Sequence, residues 1–332
     1  MENQKKQPVI VVAGPTASGK TSLGIQLAKL YDGEVISADS MQIYKGLDIT
    51  TAKPTKEEMC GVPHHLISVI NQEDSFSVAD YVKLAREKIS EISSRNKLPI
   101  IVGGTGLYIS SLIDNISFDN VITDDSVRQK LIEESKRIGN EAMLEKLRQI
   151  DPETAEALHP NNITRIIRAI EVYEVSGIKF SENKVLSRIE ESPYSACMIG
   201  LSFEDRQKLY DRINMRVDIM MKNGMLEETR EVYDSKHLKT AHQAIGYKEL
   251  VPYFEGCTTL EECIDKIKQE SRRYAKRQLT WFRRDKRINW ILLDRFNKNE
   301  EINAECKKIV AKSEIICYNE NNSFFNNLNG KD

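Results

Sequence analysis

The spacing of apolar residues divides the chain into stretches of different kinds. Short apolar runs, which are typical of strands in a buried parallel sheet, occur at 8–13, 35–38, 66–69 and 98–103. Between the runs, apolar residues recur at helical spacing at Leu23, Leu27 and Leu30, and again across 77–97. The alternation of strands and helices predicts a parallel α/β core.

The pattern changes after this first part of the chain. From about 120 to 188 only helical spacing is present, and a strand-like run returns at 196–203. A long helix is predicted over 204–234, followed by a basic helix and a last strand at 288–294. We therefore predict four segments: 1–118 as the first part of the core, 119–195 as an inserted helical domain, 196–297 as the rest of the core, and 298–332 as a flexible tail.

Composition sets the broad class of protein. The 332 residues are 40% hydrophobic and 30% charged, which is typical of globular proteins. No run approaches the roughly 18 apolar residues of a membrane span, and the N-terminus lacks a secretory pattern. The six scattered cysteines include no C-x-x-C pair, which favours reduced thiols over a zinc site. We expect a cytoplasmic protein with no membrane partner.

The stretch VIVVAGPTASGKTSLG contains the spacing G-x-x-x-x-G-K-[ST] between a predicted strand and a predicted helix. In this arrangement backbone N–H groups surround phosphate oxygens, a Lys supplies charge and a Thr hydroxyl faces a metal ion. A glycine-rich turn that binds nothing is the alternative. The predicted phosphate-binding residues are Gly14, Pro15, Thr16, Ala17, Ser18, Gly19, Lys20 and Thr21. The phosphate itself could be transferred, hydrolysed or released.

Two more polar segments follow predicted strands. Asp39 ends the second strand, and Gly103–Gly106 follows a later one, so both should meet the phosphate loop at the carboxyl edge of the sheet. A carboxylate there could bind a metal ion or act as a general base. A turn formed by Asp39 with Ser40 is the alternative. The chain lacks the usual second acid of a nucleoside triphosphate hydrolase, which argues against a motor protein.

Clusters of cations leave two interpretations open. Residues 265–287 hold ten Lys or Arg and three acids, with aromatic residues between them, as in a nucleic-acid surface or a solvated amphipathic helix. The pair Arg212 and Arg216 could bind a diphosphate or an RNA backbone, or be exposed cations balanced by nearby acids. Arg165 and Arg168 allow the same two interpretations. A structural role is expected for the adjacent histidines 64 and 65.

Eight motifs in order carry a resemblance to a known family: GPTASGKT, SADSMQIYKGLDITTAKP, GVPHHLI, SVADY, IVGGTGLYI, RIIRAIEVYEVSG, QAIGYKEL and RRYAKRQLTWFRRD. Over roughly residues 8–293 the chain resembles the bacterial tRNA dimethylallyltransferase family. The resemblance implies a P-loop NTPase-like α/β core with an inserted all-helical domain. It also implies transfer of a dimethylallyl group from dimethylallyl diphosphate to N6 of the adenosine 3′ of the anticodon in tRNA. Diphosphate is then the leaving group.

The resemblance also implies roles for particular residues. Asp39 is the base, Thr21 holds Mg²⁺ together with water and diphosphate, and Thr105 and Arg212 act near the diphosphate. The implied tRNA contacts are Asp39, Ser40, Met41, Gln42, Thr105, Arg128, Ile163, Thr164, Arg165, Ile166, Ile167 and Arg168. The partner is the anticodon stem-loop, and a monomer is expected. Thr50 stands where the family usually has Gly, which leaves the conformation of that turn open.

Three other functions remain possible at this point. A small-molecule kinase shares the phosphate loop and core, with the inserted helices as a lid. An RNA-binding module could sense a nucleotide without chemistry. An adenylate isopentenyltransferase uses the same donor on a free nucleotide. The inserted helices and the basic helix favour a polynucleotide acceptor over the two enzymes with small acceptors. The three converging polar loops argue against an RNA-binding module without chemistry.

Overall fold

The computed structural model describes residues 6–118, 124–188, 190–235 and 241–313. The chain forms two compact units. We call Met1–Ile113 with Pro193–Asp332 the sheet unit and Asp114–Ser192 the helical unit. The sequence placed the inserted helices at 119–195, and residues 119–123 next to the first of these boundaries lie outside the described residues.

A parallel sheet forms the centre of the sheet unit. Its strands are β1 (Gln7–Ala13), β2 (Gly33–Ser37), β3 (His64–His65), β4 (Leu98–Gly103), β5 (Tyr194–Ser202) and β6 (Asn289–Leu292). Their order across the sheet is β3-β2-β4-β1-β5-β6, and every neighbouring pair is parallel. Val9–Ala13 in β1 are completely buried, which explains their unbroken apolar run. The predicted α/β class is confirmed.

The helices follow the strands in the order that the sequence pattern predicts. The first part of the sheet unit contains α1 (Lys20–Leu30), α2 (Lys56–Met59), α3 (Val78–Ser94) and α4 (Gly106–Ile113). The helical unit contains α5 (Asp125–Ile138), α6 (Asn140–Ile150), α7 (Pro152–Glu156), α8 (Ile163–Ser176) and α9 (Phe180–Leu186). The sheet unit then continues with α10 (Arg206–Lys222), α11 (Met225–Ser235), α12 (Tyr247–Phe254), α13 (Leu260–Phe282) and α14 (Asn299–Ala311).

Each unit has its own hydrophobic core. In the sheet unit, residues of β1, β4 and β5 pack against α1, and Leu27 is 2% exposed. In the helical unit, Leu131 of α5, Leu147 of α6 and Ile170 of α8 are buried together. Two separate cores are the property expected of an insertion that folds as a domain of its own. Among the described residues, no helix combines the length and hydrophobicity needed to cross a membrane.

Two local predictions are wrong for reasons of backbone geometry. The long helix predicted over 204–234 is two helices, because Gly224 has a φ of 99° and separates α10 from α11. The strand predicted near 66–69 is instead β3 at His64–His65. Leu66 and Ser68 have φ values of 59° and 53°, which an extended strand does not allow.

The predicted flexible tail is corrected over its first part. Residues Asn299–Ala311 form α14, in which Cys306 and Val310 are buried in the core of the sheet unit. Ile302, Cys306, Ile309 and Val310 recur at helical spacing, and this periodicity outweighs the polar composition around it. Residues 314–332, the rest of the predicted tail, lie outside the described residues.

We predict that Val310→Ala lowers the free energy of unfolding by about 2 kcal/mol, because it removes apolar volume from the core. Lys307→Ala, on the exposed face of the same helix, should change it by less than about 0.5 kcal/mol. Urea unfolding of both variants measures the difference. Equal, negligible effects would mean that α14 does not contribute to the core.

Candidate active site

The phosphate loop, Gly14–Thr21, joins β1 to the start of α1 at the carboxyl edge of the sheet. Lys20 Nζ donates a hydrogen bond to the carbonyl of Pro15 at 2.5 Å. The pKa of Lys20 is lowered from its ordinary value to about 7, chiefly by burial and then by the positive charge of Arg216, while the carboxylate of Asp39 acts in the opposite direction. An anion beside this lysine would restore its charge.

Asp39 lies two residues beyond the end of β2. Its Oδ1 accepts hydrogen bonds from the N–H groups of Met41 at 2.9 Å and Gln42 at 3.2 Å. These bonds fix the side chain in an Asx-type turn. Oδ2 has no hydrogen-bond partner among the described residues. The turn and the base, which the sequence left as alternatives, are therefore compatible, because one oxygen anchors the carboxylate and leaves the other accessible.

Thr105 ties the third polar loop to the second. Its Oγ1 accepts the N–H of Ser40 at 3.0 Å, and its own N–H donates to the carbonyl of Ala38 at 3.1 Å. One cavity is lined by residues of all three predicted loops, including Lys20, Asp39 and Gly103. The convergence that the sequence predicted is present in the structure.

The helix α13 completes the site through side chains that sequence reasoning did not select. Gln278 Oε1 accepts the N–H of Thr16 at 2.9 Å, and its Nε2 donates to the carbonyl of Gly104 at 2.9 Å. A Cβ on Gly104 would lie 2.1 Å from Gln278 Nε2, so only glycine permits this approach. Tyr274, one turn earlier, lies beside Thr105, and burial followed by the charge of Asp39 raises its pKa.

The two arginines of α10 have different places. Arg216 lines the cavity with Lys20 and Asp39, and it donates to the carbonyl of Ala52 at 3.3 Å. Burial lowers the pKa of its guanidinium. Arg212 Nε donates to the carbonyl of Ala17 at 3.0 Å and faces a neighbouring cavity beside Ser18. The sequence singled out both arginines, but only Arg216 faces the same space as Asp39.

One interpretation of the sequence paired the arginines of α10 with nearby acids of the same helix, and the structure does not show these ion pairs among the described residues. Asp218 pairs with Lys268 at 2.6 Å, and Asp211 accepts from Gln207 at 2.7 Å. Neither acid contacts an arginine of α10 in the described part of the chain. The positive charge of Arg216 is therefore directed at the cavity without a carboxylate bound to it.

Asp39 stands between two adjoining cavities of the sheet unit. The first contains the phosphate loop and the second extends to Met220, His242 and Lys248. Residues that line both are Thr16, Asp39, Thr51, Arg216 and Tyr274. A carboxylate in this position can contact two substrates that enter from different sides.

The loop after Asp39 is held by buried polar contacts. Glu228 of α11 accepts the N–H groups of Asp48, Ile49 and Thr50 at 2.7, 2.8 and 2.8 Å. Thr50 is 4% exposed and its φ is not positive. The sequence left the conformation of this turn open because the family usually has Gly at position 50. The backbone at Thr50 does not require glycine.

In the helical unit the predicted tRNA-contact residues differ in accessibility. Thr164 and Arg165 are exposed, whereas Ile166 and Ile167 are 0% and 6% exposed in the core. Their side chains therefore do not reach the surface, and only their backbone could contact RNA. Ile163 is partly buried at the edge of the same core. Arg128 and Arg168 both bond to a buried Glu171 of α8.

The basic helix serves both interpretations that the sequence allowed. One side of α13 carries Tyr274, Gln278 and the buried Phe282 toward the sheet unit. On α13 and directly after it, five exposed cations have no ion-pair partner among the described residues: Lys276, Arg277, Arg283, Arg284 and Lys286. A surface with this charge suits a polyanion.

The sequence also singled out the adjacent histidines and the cysteines. His65 Nε2 bonds to Glu34 at 2.7 Å, which is a structural role. The cysteines that fall in the described residues are all free thiols, and Cys317 lies outside them. No group of three His, Cys, Asp or Glu side chains in the described ranges could hold a metal ion.

A phosphate loop faced by a carboxylate and a half-buried arginine, on a parallel α/β sheet, is typical of a phosphate-binding α/β enzyme. The family model for IPP transferases matches residues 42–285. The chain belongs to the IPP transferase family, and the resemblance found in its sequence is confirmed.

Individual relatives agree with this family. A tRNA dimethylallyltransferase of Bacillus subtilis is 50% identical over 92% of this chain and 96% of its own length. The structure of a full-length tRNA isopentenylpyrophosphate transferase from Bacillus halodurans matches with a TM-score of 0.69 and 44% identity, covering 92% of this chain and 96% of that one. A eukaryotic dimethylallyltransferase acting on tRNA matches with a TM-score of 0.72 and 32% identity, over 83% of this chain and 70% of that chain.

We predict that binding of inorganic diphosphate is coupled to proton uptake by Lys20. Because the pKa of Lys20 is about 7, the free amine is mostly neutral at about pH 8, and the bound anion should restore its charge. Calorimetric titration in two buffers of different ionisation enthalpy measures the uptake. In Lys20→Arg, whose guanidinium is always charged, the uptake should fall by about one proton.

The pH dependence of diphosphate affinity in the unaltered protein provides a second check. Above a pKa of about 7, the lysine must gain a proton to pair with the anion, so affinity should weaken as the pH rises. An affinity that is constant between about pH 7 and 9 would contradict the prediction.

Proposed function

We propose that this protein transfers a dimethylallyl group from dimethylallyl diphosphate to N6 of the adenosine 3′ of the anticodon in tRNA, and releases diphosphate. The observation that carries the proposal is the position of Asp39, whose carboxylate stands between the phosphate-loop cavity and the adjoining cavity. The relatives named as tRNA dimethylallyltransferases support tRNA as the acceptor.

The donor diphosphate is assigned to the phosphate loop. Backbone N–H groups of the loop, Lys20 and Arg216 together would neutralise the charge that develops on the leaving group. Arg216 is suited to this role because no carboxylate is bound to it within the described residues. Arg212 supports the loop from its other side through Ala17.

The residues also fit a Mg²⁺ ion. Thr21 is exposed at the cavity and its hydroxyl has no hydrogen-bond partner among the described residues. An oxygen ligand together with diphosphate oxygens and water is the donor set that Mg²⁺ prefers. When bound there, the ion would stabilise the negative charge of diphosphate.

The chemical step follows from the place of Asp39. The N6 lone pair forms a bond to C1 of the dimethylallyl group, the C1–O bond to diphosphate breaks, and diphosphate leaves with the electron pair. Asp39 Oδ2 accepts the proton that N6 loses. Thr105 accepts the N–H of Ser40, the residue after Asp39, and Tyr274 lines both cavities together with Asp39. The adenine must leave its stack in the RNA to reach Asp39.

The exposed cations provide the attraction for RNA. The unpaired Lys and Arg side chains on α13 and after it suit phosphate groups of a polynucleotide. Arg165 and the two arginines held by Glu171 offer a similar surface on the helical unit. A kinase and an adenylate isopentenyltransferase both act on small acceptors, for which neither surface has an evident use.

We predict that unmodified tRNA, incubated with this protein, Mg²⁺ and dimethylallyl diphosphate, yields N6-dimethylallyl adenosine, which is detected by mass spectrometry of the nucleosides. A tRNA with guanosine at the target position lacks the N6 amine and is the matched control. Product on free AMP would identify a free-nucleotide transferase. Phosphate transfer from ATP to a small acceptor would identify a kinase.

We predict that Asp39→Asn lowers kcat by about 10² to 10⁴, the range expected for loss of a general base. The variant keeps an oxygen for the N–H groups of Met41 and Gln42, so KM for tRNA should change by less than about threefold. Steady-state kinetics with both substrates measures the split. Asp74→Asn, at an exposed acid, is the control, and equal turnover of the two variants would refute the base assignment.

A further inference from the structure

Glu171 is a buried carboxylate that the proposed chemistry does not use. It lies in α8 of the helical unit, and its side chain is 0% exposed. An ionised carboxylate at such a position is stable only when its oxygens are fully paired. The pairing is supplied by two arginines and one backbone N–H group.

Arg128 of α5 and Arg168 of α8 share this carboxylate. Arg128 donates from Nε to Oε2 and from Nη2 to Oε1, both at 3.0 Å. Arg168 donates from Nη1 to Oε2 at 3.0 Å. The N–H of Asp124, just before α5, donates to Oε1 at 3.3 Å. Both oxygens are therefore engaged, and the two guanidiniums are held side by side.

The opposite sides of these guanidiniums remain accessible. Arg128 is 40% exposed and Arg168 is 28% exposed. Arg128 has one further acid nearby, Asp125, at 3.7 Å and itself 97% exposed. Arg168 makes no other hydrogen bond or ion pair among the described residues. Its Nε and Nη2 donors are available, whereas Nη1 of Arg128 faces only the exposed Asp125.

The charges do not cancel within this group. Arg128, Arg168 and the exposed Arg165, which lies one turn before Arg168 on the same helix, carry three positive charges against the carboxylates of Glu171 and Asp125. Fixed, planar donors from two guanidiniums match the oxygens of a phosphate group. Because the arginines are already ordered, binding costs little side-chain entropy.

We propose that Glu171 is a positioning residue that assembles Arg128 and Arg168 into a binding site for a backbone phosphate of the RNA substrate. The inference rests on the proposed function and adds to it a residue that does not itself contact RNA. A buried ion pair that only stabilises the helical unit is the competing explanation.

The two explanations predict different changes in RNA binding when Glu171 is replaced by Gln. Replacing Glu171 by Gln removes a negative charge, so simple electrostatics predicts stronger binding of RNA. If Glu171 orients the arginines, binding weakens instead, because the Gln amide presents N–H groups to a guanidinium that also has only donors. Glu156→Gln, at an exposed position at the end of α7, removes the same charge without touching either arginine.

The test is steady-state prenylation of tRNA by the full-length protein at several salt concentrations. We expect Glu171→Gln to raise KM for tRNA about tenfold, with kcat and the donor KM nearly unchanged, as for loss of a charge-assisted phosphate contact. The dependence of log KM on log salt should become shallower by about one to two. Glu156→Gln should leave KM for tRNA unchanged or lower it.

A second variant keeps the test decisive if Glu171→Gln does not fold. Arg128→Lys with Arg168→Lys preserves the net charge but removes the planar forks, and it should also raise KM for tRNA. An unchanged or lowered KM in either folded variant would overturn the proposal. A fall in both kcat and melting temperature, without a selective change in KM for tRNA, would also overturn the proposal. Absence of product with the unaltered protein would instead refute the proposed function.

Discussion

The side-chain amide of Gln278 joins two loops that the sheet alone would leave separate. It accepts the N–H of Thr16 in the phosphate loop and donates to the carbonyl of Gly104 after β4. The amide is 5% exposed, so both of its bonds must be made within the protein. They fix α13 across the carboxyl edge of the sheet and bring Tyr274 to Thr105. The phosphate loop is thereby linked to the loop that contains Thr105, whose side chain accepts the N–H of Ser40 beside Asp39.

The site combines cations that the protein does not neutralise. Lys20 and Arg216 repel each other, and burial adds to the cost of charging them. Asp39 compensates only in part, since its Oδ1 is already occupied by two N–H groups. A diphosphate would relieve this repulsion, and its departure would restore it. The repulsion between these two cations therefore favours binding of an anionic leaving group.

The helical unit shows a related use of buried charge at another place in the chain. Its apolar core is independent of the sheet, and the buried carboxylate of Glu171 orders the two guanidiniums beside that core. The solved structures of related tRNA transferases extend over most of this chain, at 44% identity for the Bacillus halodurans protein. Membership of the family thus includes the helical unit as well as the phosphate-binding core.

The sequence by itself determined the features that arise from contiguous residues. The phosphate loop is one local segment between a strand and a helix, and Asp39 follows a strand end, so their convergence at the sheet edge follows from parallel topology. Only the tertiary structure decided that Arg216 rather than Arg212 faces the cavity, and that Gln278 and Tyr274 complete it. Spacing of i and i+4 places two arginines on one helix face but does not specify which of them is opposite a particular loop. The partners of Gln278 are 262 and 174 residues distant in the chain, and such contacts depend on packing that no local pattern encodes.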